Sequence, residues 1–217
     1  MQIYSLLKTN IIHEMKKFPQ KTITRAFVYI RTLEKLIKEN QEFISSQKLA
    51  KITGLTDVQI RKDISNFGKV GKPRIGYQTR ELKKILENYV MQNIVHAVLF
   101  GVGNLGSAIL KYPGFHQEKV KIVAAFDNDK KKIGKSINGI CIYAIEEAKR
   151  IIRKCHAEIG IIAVPSEHSQ QIANMIVASG LKGIVNFSPT SIDVPSHVQV
   201  KDIDLTIEFL SLFSSLA

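Results

Sequence analysis

The chain has 217 residues, 45% hydrophobic and 23% charged, with a formal net charge of +12. That length holds one large or two small domains with proper cores, and the composition excludes a disordered chain. No apolar run approaches the ~18–20 residues of a membrane span. The opening MQIYSLLKTNIIHEMKK lacks the basic, apolar, small-residue order of a secretory leader, so a cytoplasmic protein is expected. Cys141 and Cys155 show neither Cys-x-x-Cys spacing nor His partners at metal-ligand spacing, and read as reduced thiols with no metal site.

The charge is unevenly divided. Residues 1–93 carry 18 Lys and Arg against 8 Asp and Glu, and residues 94–217 carry 13 against 11. A basic half joined to a near-neutral half suits a nucleic-acid-binding domain followed by another, although a basic soluble domain fits the charge equally well. Residues 22–39 place Ile23, Phe27, Ile30, Leu33, Leu36 and Ile37 at helical spacing. In SSQKLAKITGLTDVQIRKDISNFG, residues 45–68, Ser45 or Ser46 caps a short helix, Gly54 breaks it, and Thr56 caps a second helix over 57–66. Two short helices about a tight Gly turn read as helix-turn-helix. With Ile60 and Ile64 facing the core, Gln59, Arg61, Lys62 and Ser65 point elsewhere. Those residue types suit base edges and phosphates, and they also suit a solvated helix face. GKVGKPRIGY, residues 68–77, reads as the hairpin of a wing, with Lys72 or Arg74 at its tip for a minor groove. A helix over 79–92 follows.

From residue 94 strands and helices alternate. Apolar runs at 94–101, 119–127, 157–165 and 181–189, with a short strand GICIYA, alternate with amphipathic helices. The pattern predicts a parallel sheet covered on both faces. LFGVGNLG is a strand end running into Gly-x-Gly-x-x-Gly. Gly101 allows the tight turn, Gly103 a close approach to pyrophosphate, and Gly106 helix–strand packing, while the helix start receives phosphate. Asp127, at the end of the next strand, stands 21 residues past Gly106, the place of the acid that accepts from ribose hydroxyls and favours NAD over NADP. Lys130, Lys131 and Lys132 read as a solvated turn. AVPSEHSQ and NFSPT lie at further strand ends. Phe187 there either stacks near a nicotinamide or packs in the core.

His13, His96, His116, His156, His168 and His197 are scattered and form no base–orienter pair, although His168, at a strand end, could serve as a general base. No substrate domain follows the sheet. The tail KDIDLTIEFLSLFSSLA is too apolar for a free helix, so Leu205, Ile207, Phe209, Leu210, Leu212, Phe213 and Leu216 must dock, in cis or on a partner.

These residues resemble one family, the redox-sensing transcriptional repressor Rex. The resemblance is carried by TITRAFVYIRTLEKL, SSQKLAKITGLTDVQIRKDISNFGKVGKPRIGY, FGVGNLGSAIL with YPGF, FDNDKKKIGKSINGI, AVPSEHSQ and GIVNFSP, in family order over roughly residues 21–217. It implies an α/β homodimer with a winged-helix DNA-binding domain at 1–92, a Rossmann-like NAD(H) domain at 93–200 and a C-terminal dimerisation helix at 201–217, swapped onto the partner. The candidate DNA contacts are Ser46, Gln59, Arg61, Lys62, Ser65, Lys72, Arg74 and Tyr77. The candidate cofactor contacts, for NADH and NAD+, are Gly101, Val102, Gly103, Asn104, Leu105, Gly106, Asp127, Val164, Pro165, Asn186, Phe187 and Ser188. Arg31, Tyr112 and Asp204 resemble the family's polar switch. Arg74 stands where the family usually has Gly, Asn104 where it is often basic, and the tail looks short.

The resemblance implies a repressor that binds an inverted-repeat operator through two recognition helices about one DNA turn, ~34 Å, apart, and leaves it when NADH replaces NAD+. The rival readings are a regulator sensing another nucleotide, such as a CoA derivative, and a small NAD-dependent reductase with a basic accessory domain.

Overall fold

The computed structural model describes residues 18–68, 70–90, 94–115 and 119–216. His13 and His116 lie outside them. The chain divides into two compact units between Asn93 and Ile94.

The first unit opens with α1 (Gln20–Lys38), whose Ile23, Ala26, Ile30 and Leu33 form the buried stripe. Phe27, expected on that face, is 42% exposed, and Tyr29 is buried in its stead. Phe27 follows Ala26 by one ~100° step, which carries it off the stripe. After β1 (Phe43–Ile44), Ser45 caps α2 (Ser46–Thr53) by accepting from the Lys48 N–H. Gly54, at φ 73°, ends it in the left-handed conformation that glycine adopts without strain. Thr56 accepts from the Gln59 N–H and caps α3 (Asp57–Asn66). Then come β2 (Tyr77–Gln78), antiparallel to β1, and α4 (Thr79–Val90). Leu33, Leu49, Ile60, Ile64, Phe67, Leu82 and Leu86 share one core.

The wing is the expected hairpin at its smallest: the Lys72 N–H donates to the Gly76 carbonyl at 2.8 Å and the Gly76 N–H to the Lys72 carbonyl at 2.9 Å. Lys72 and Gly76 form a single bridge, and β2 pairs with β1. Between them Lys72 C=O accepts from Ile75 N–H at 3.2 Å, closing a four-residue turn with Pro73 second and Arg74 third. Arg74 has φ 66°, at the turn position where positive φ normally calls for Gly. Pro73 has no N–H to give a ladder.

The second unit is a seven-stranded sheet: β3 (Val95–Phe100), β4 (Val120–Asp127), β5 (Ser136–Ile137), β6 (Ile140–Ala144), β7 (Ile159–Ile162), β8 (Gly183–Asn186) and β9 (Gln199–Asp202), in the order β5-β6-β4-β3-β7-β8-β9. All pairs are parallel except β5–β6. Without β5 the order is that of the doubly wound dinucleotide fold, and the connection reverses at β3, between β4 and β7. The helices are α5 (Asn104–Lys111), α6 (Ala148–Cys155), α7 (Ser166–Ala178) and α8 (Leu205–Ser214).

Alternation along β3 splits the core. Val98 and Phe100 join Ile151, Ile152, Ile172 and Ile176 of α6 and α7, while Ala97 and Leu99 join Ile109 and Leu110 of α5. The sheet is thus covered on both faces, as the apolar strands predict. The β5–β6 hairpin turns at Asn138 (φ 49°) and Gly139 (φ 77°), a primed turn that suits the strand twist.

Candidate functional site

The site in the second unit forms where the β3 and β7 loops meet. Gly101 has φ 92°, and a Cβ there would lie 2.5 Å from the Ala163 carbonyl oxygen. A Cβ on Gly106 would lie 1.9 Å from the Gly101 carbonyl oxygen. Both positions must be glycine for strand, turn and helix to close up. Gly103 is the opposite case: a Cβ there meets nothing within 4 Å. The space over Gly103 is an open cradle at the start of α5, whose first turn has no side-chain cap, so its leading N–H groups suit phosphate oxygens. Val102 is buried, whereas Asn104 and Leu105 are exposed beside the cradle.

Asp127 ends β4 and is 6% exposed. Its Oδ2 accepts from the Val102 N–H at 2.7 Å and from Lys132 Nζ at 3.1 Å, and its Oδ1 from the Asp129 N–H at 2.8 Å. Burial pushes this carboxyl up, but the Asp129 and Val102 N–H groups and the Lys132 ammonium outweigh it and hold it below the ordinary carboxylate range. Asp127 therefore anchors the glycine turn and stays ionised. Lys132 is not a merely solvated lysine, as its sequence setting suggests: it is the carboxylate's ion-pair partner.

Val164 and Pro165 continue from β7 beside Gly101, with Val164 partly buried and Pro165 exposed. Asn186 corrects its expected role. It is fully buried, donates to the Thr190 carbonyl and to Asp202 Oδ1, and accepts from the Ser188 N–H. Its amide braces the loop after β8 instead of facing a ligand. Phe187 is partly buried against the Leu99–Val102 cluster, which favours the packing alternative. Ser188 is 4% exposed, and its hydroxyl has no partner. An orphaned buried hydroxyl and an open glycine cradle fit a polar nucleotide, which Gly103, the α5 N-terminus, Asp127 and Ser188 would hold. Among the described residues no group of three or more His, Cys, Asp or Glu is placed to hold a metal ion.

In the first unit, Arg61, Lys62 and Ser65 lie exposed on α3. Arg61 pairs with Asp57 at 2.6 Å and reaches Ser46 Oγ at 3.5 Å. Such an exposed pair is weak and exchanges readily for a phosphate. Lys72 and Arg74 are exposed on the wing. Two expected DNA contacts are placed otherwise. Gln59 spends its amide on Asp63 Oδ1 at 2.9 Å, because the i, i+4 spacing aims it along its own helix. The Tyr77 ring is 9% exposed and packs in the core, against Gly71.

The group that sequence reasoning missed is Asp63. It is 1% exposed, and its carboxylate accepts from Arg25 Nε at 2.5 Å and Nη2 at 2.7 Å, from Tyr29 Oη at 2.7 Å and from the Gln59 amide. Burial raises this carboxyl, and the hydrogen bonds from Arg25, Tyr29 and Gln59 bring it below its usual range. The clamp joins the recognition helix α3 to α1. The Gln59–Asp63 spacing was the available signal.

The switch residues stand on separate elements. Arg31 is exposed on α1, and Tyr112 follows α5 at 53% exposure. Asp204 caps α8 by accepting from the Thr206 and Ile207 N–H groups. Docking of the tail in cis is overturned: no α8 side chain is buried, and Phe209 and Phe213 are 73% and 72% exposed. β9 ties residues 199–202 to the sheet edge, and α8 leaves from there without folding back over an apolar face.

Residues 17–65 match the family described as "Putative DNA-binding protein N-terminus", and residues 92–190 match "CoA binding domain". A Redox-sensing transcriptional repressor Rex from Carboxydothermus hydrogenoformans is 42% identical over 88% of this chain and 92% of its own. Another, from Syntrophobacter fumaroxidans, is 37% identical over 90% and 94%. The chain belongs to the Rex family. A solved Rex-family repressor, RSP, in complex with NAD+ and operator DNA matches it with a TM-score of 0.83 at 30% identity, covering 92% of each chain. RSP in complex with NADH matches with a TM-score of 0.81, covering 92% of this chain and 94% of RSP. The winged helix followed by a Rossmann-like sheet is thus the Rex architecture.

Proposed function

We propose that this chain represses transcription by binding an inverted-repeat operator as a homodimer, and that it releases the DNA when NADH replaces NAD+. The observation that carries the reading is the pairing, in one Rex-family chain, of an exposed Arg61–Lys62 helix α3 with the glycine cradle and the buried Asp127 at the end of β4. Arg61, Lys62, Ser65 and the wing residues Lys72 and Arg74 serve DNA, with Ser46 steadying Arg61. The α5 N-terminus takes the pyrophosphate and Asp127 the ribose diol.

The apolar face of α8 is covered by a second copy, which couples the two chains. Arg31, Tyr112 and Asp204 form the polar switch of that assembly. A ligand moves such a switch only through its differential affinity for the two shapes. NADH and NAD+ differ in charge and in the planarity of one ring, and the site distinguishes them without reacting with them, so no catalytic residue is required. The protein would act in the cytoplasm, where DNA and the nicotinamide pool meet.

The match to a CoA-named family favours a second reading, a CoA derivative as the sensed nucleotide. Asp127, placed for an unphosphorylated ribose, speaks against it. Fluorescence anisotropy of a labelled operator recovered by selection with this protein separates the two. We expect NADH to release DNA at concentrations where NAD+ and CoA do not. Release by CoA alone would replace the first reading with the second.

A further inference from the structure

Helix α3 presents one side chain that neither its core nor its charge pairs call for. Ile60, Asp63 and Ile64 form its buried stripe. Val58 stands two ~100° steps before Ile60, on the opposite side, and is 63% exposed. It lies in the first turn, just after the Thr56 cap. A β-branched residue lowers helix propensity, and at an exposed position it adds no burial. Nothing in the folding of α3 favours valine here.

The neighbours of Val58 point to a use. Arg61 and Lys62 follow it by three and four residues and Ser65 by seven, so the four side chains line one exposed stripe. Gln59, the next residue, is turned away onto Asp63. The stripe therefore begins with two methyl groups at the N-terminal end of the helix and continues with cations. The second helix of a helix-turn-helix meets base edges with its N-terminal residues. In the major groove thymine presents an apolar group, its 5-methyl. Cytosine presents an N4 amino donor instead, which valine would leave unpaired. An apolar groove on a protein would have to bury the two cations beside the valine, whereas a duplex meets them with phosphates.

Resting on the operator-binding reading, we propose that Val58 reads one thymine in each half-site by contact with its 5-methyl group. Arg61 and Lys62 hold the duplex by charge, and Val58 selects a base by shape.

Uracil in place of thymine removes that methyl and keeps the base pair. The test is fluorescence anisotropy of operator duplexes recovered by selection with the full-length protein, at fixed salt and saturating NAD+. One thymine per half-site is replaced by uracil at a time, and wild type is compared with Val58→Ala. Burial of one methyl corresponds to about fourfold in affinity per half-site, or about fifteenfold for the two together. Alanine is the better helix former, so the variant should fold, and a thermal melt checks it.

We expect one thymine position at which uracil weakens wild type by about that factor and changes Val58→Ala by about twofold or less. The salt dependence of Val58→Ala should match wild type, because no phosphate contact is removed. A flatter salt dependence would place the effect on Arg61 or Lys62 and overturn the assignment. Equal sensitivity of the two proteins at every thymine, no sensitivity in wild type, or a selected half-site without thymine would overturn it as well. Wild type for which selection recovers no duplex would sink the operator reading itself, and the role of Val58 with it.

Discussion

Asp63 and Asp127 are both buried carboxylates held below their ordinary pKa, one in each unit, and their partners differ. Asp63 is closed in by side chains from two helices, Arg25 and Tyr29 on α1 and Gln59 on its own α3. Asp127 is held by backbone N–H groups and one half-exposed lysine, next to the open space over Gly103. The first arrangement locks a recognition helix onto its support. The second keeps an ionised acid ready at a crevice. The same chemistry, a satisfied buried charge, makes a clamp where the surroundings are sealed and leaves an ionised acid beside a crevice where they are open.

The largest effect should come from the exposed apolar helix α8. Replacing Phe209 and Phe213 together by Asp should shift the protein from dimer to monomer in sedimentation. Each full burial of such a side chain contributes about 2–3 kcal/mol, and each added charge opposes docking. A dimer that persists would mean that α8 is not its interface.

Asp63→Ala should break the clamp alone. Stripping a buried pair of one partner costs about 3 kcal/mol, the low end of the range because Arg25 retains some solvent access. Operator binding and the melting of the first unit should suffer while NADH still binds in calorimetry, and Asp63→Asn should be milder.

Gly106→Ala should do the reverse. Its Cβ would collide with the Gly101 carbonyl, and opening the turn costs about 1–3 kcal/mol. DNA binding should survive and lose its response to NADH.

The smallest effect is on pH. Both carboxylates have folded-state pKa values below their unfolded ones. Their stabilisation is therefore fully present above the ordinary carboxylate value of about 4 and is lost as pH falls through the folded values. Melting temperature should be level from neutral pH to about 5 and fall below it, with a shallower fall in Asp63→Asn.

Much of this was legible in the sequence because its signals are local. Ser45, Gly54 and Thr56 punctuate α2 and α3 where cap chemistry requires, with Ser45 proving to be the cap between two candidates. The Gly101–Gly106 turn, with Asp127 at the next strand end, marks the switch point. What escaped was the set of contacts that join distant residues. Nothing near Asn186 announces that Asp202 will take its amide, and no periodicity says that Tyr77 will be core. The β5–β6 hairpin is different: Asn138-Gly139 is a strong local turn signal, and it went unread beside the short strand GICIYA. The exposed face of α8, which we propose a second copy covers, is a contact that one chain cannot show in its own packing.

The central claim is that the two units are coupled through a dimer. Thermodynamic linkage makes that coupling reciprocal. If NADH weakens operator binding by some factor, saturating operator must weaken NADH binding by the same factor. The direct measurement is NADH affinity by calorimetry at fixed salt, with and without saturating operator duplex. The account predicts weaker NADH binding on DNA, by the factor found for operator release. Equal affinity in both conditions would contradict it and leave two binding domains that share a chain without sharing a signal.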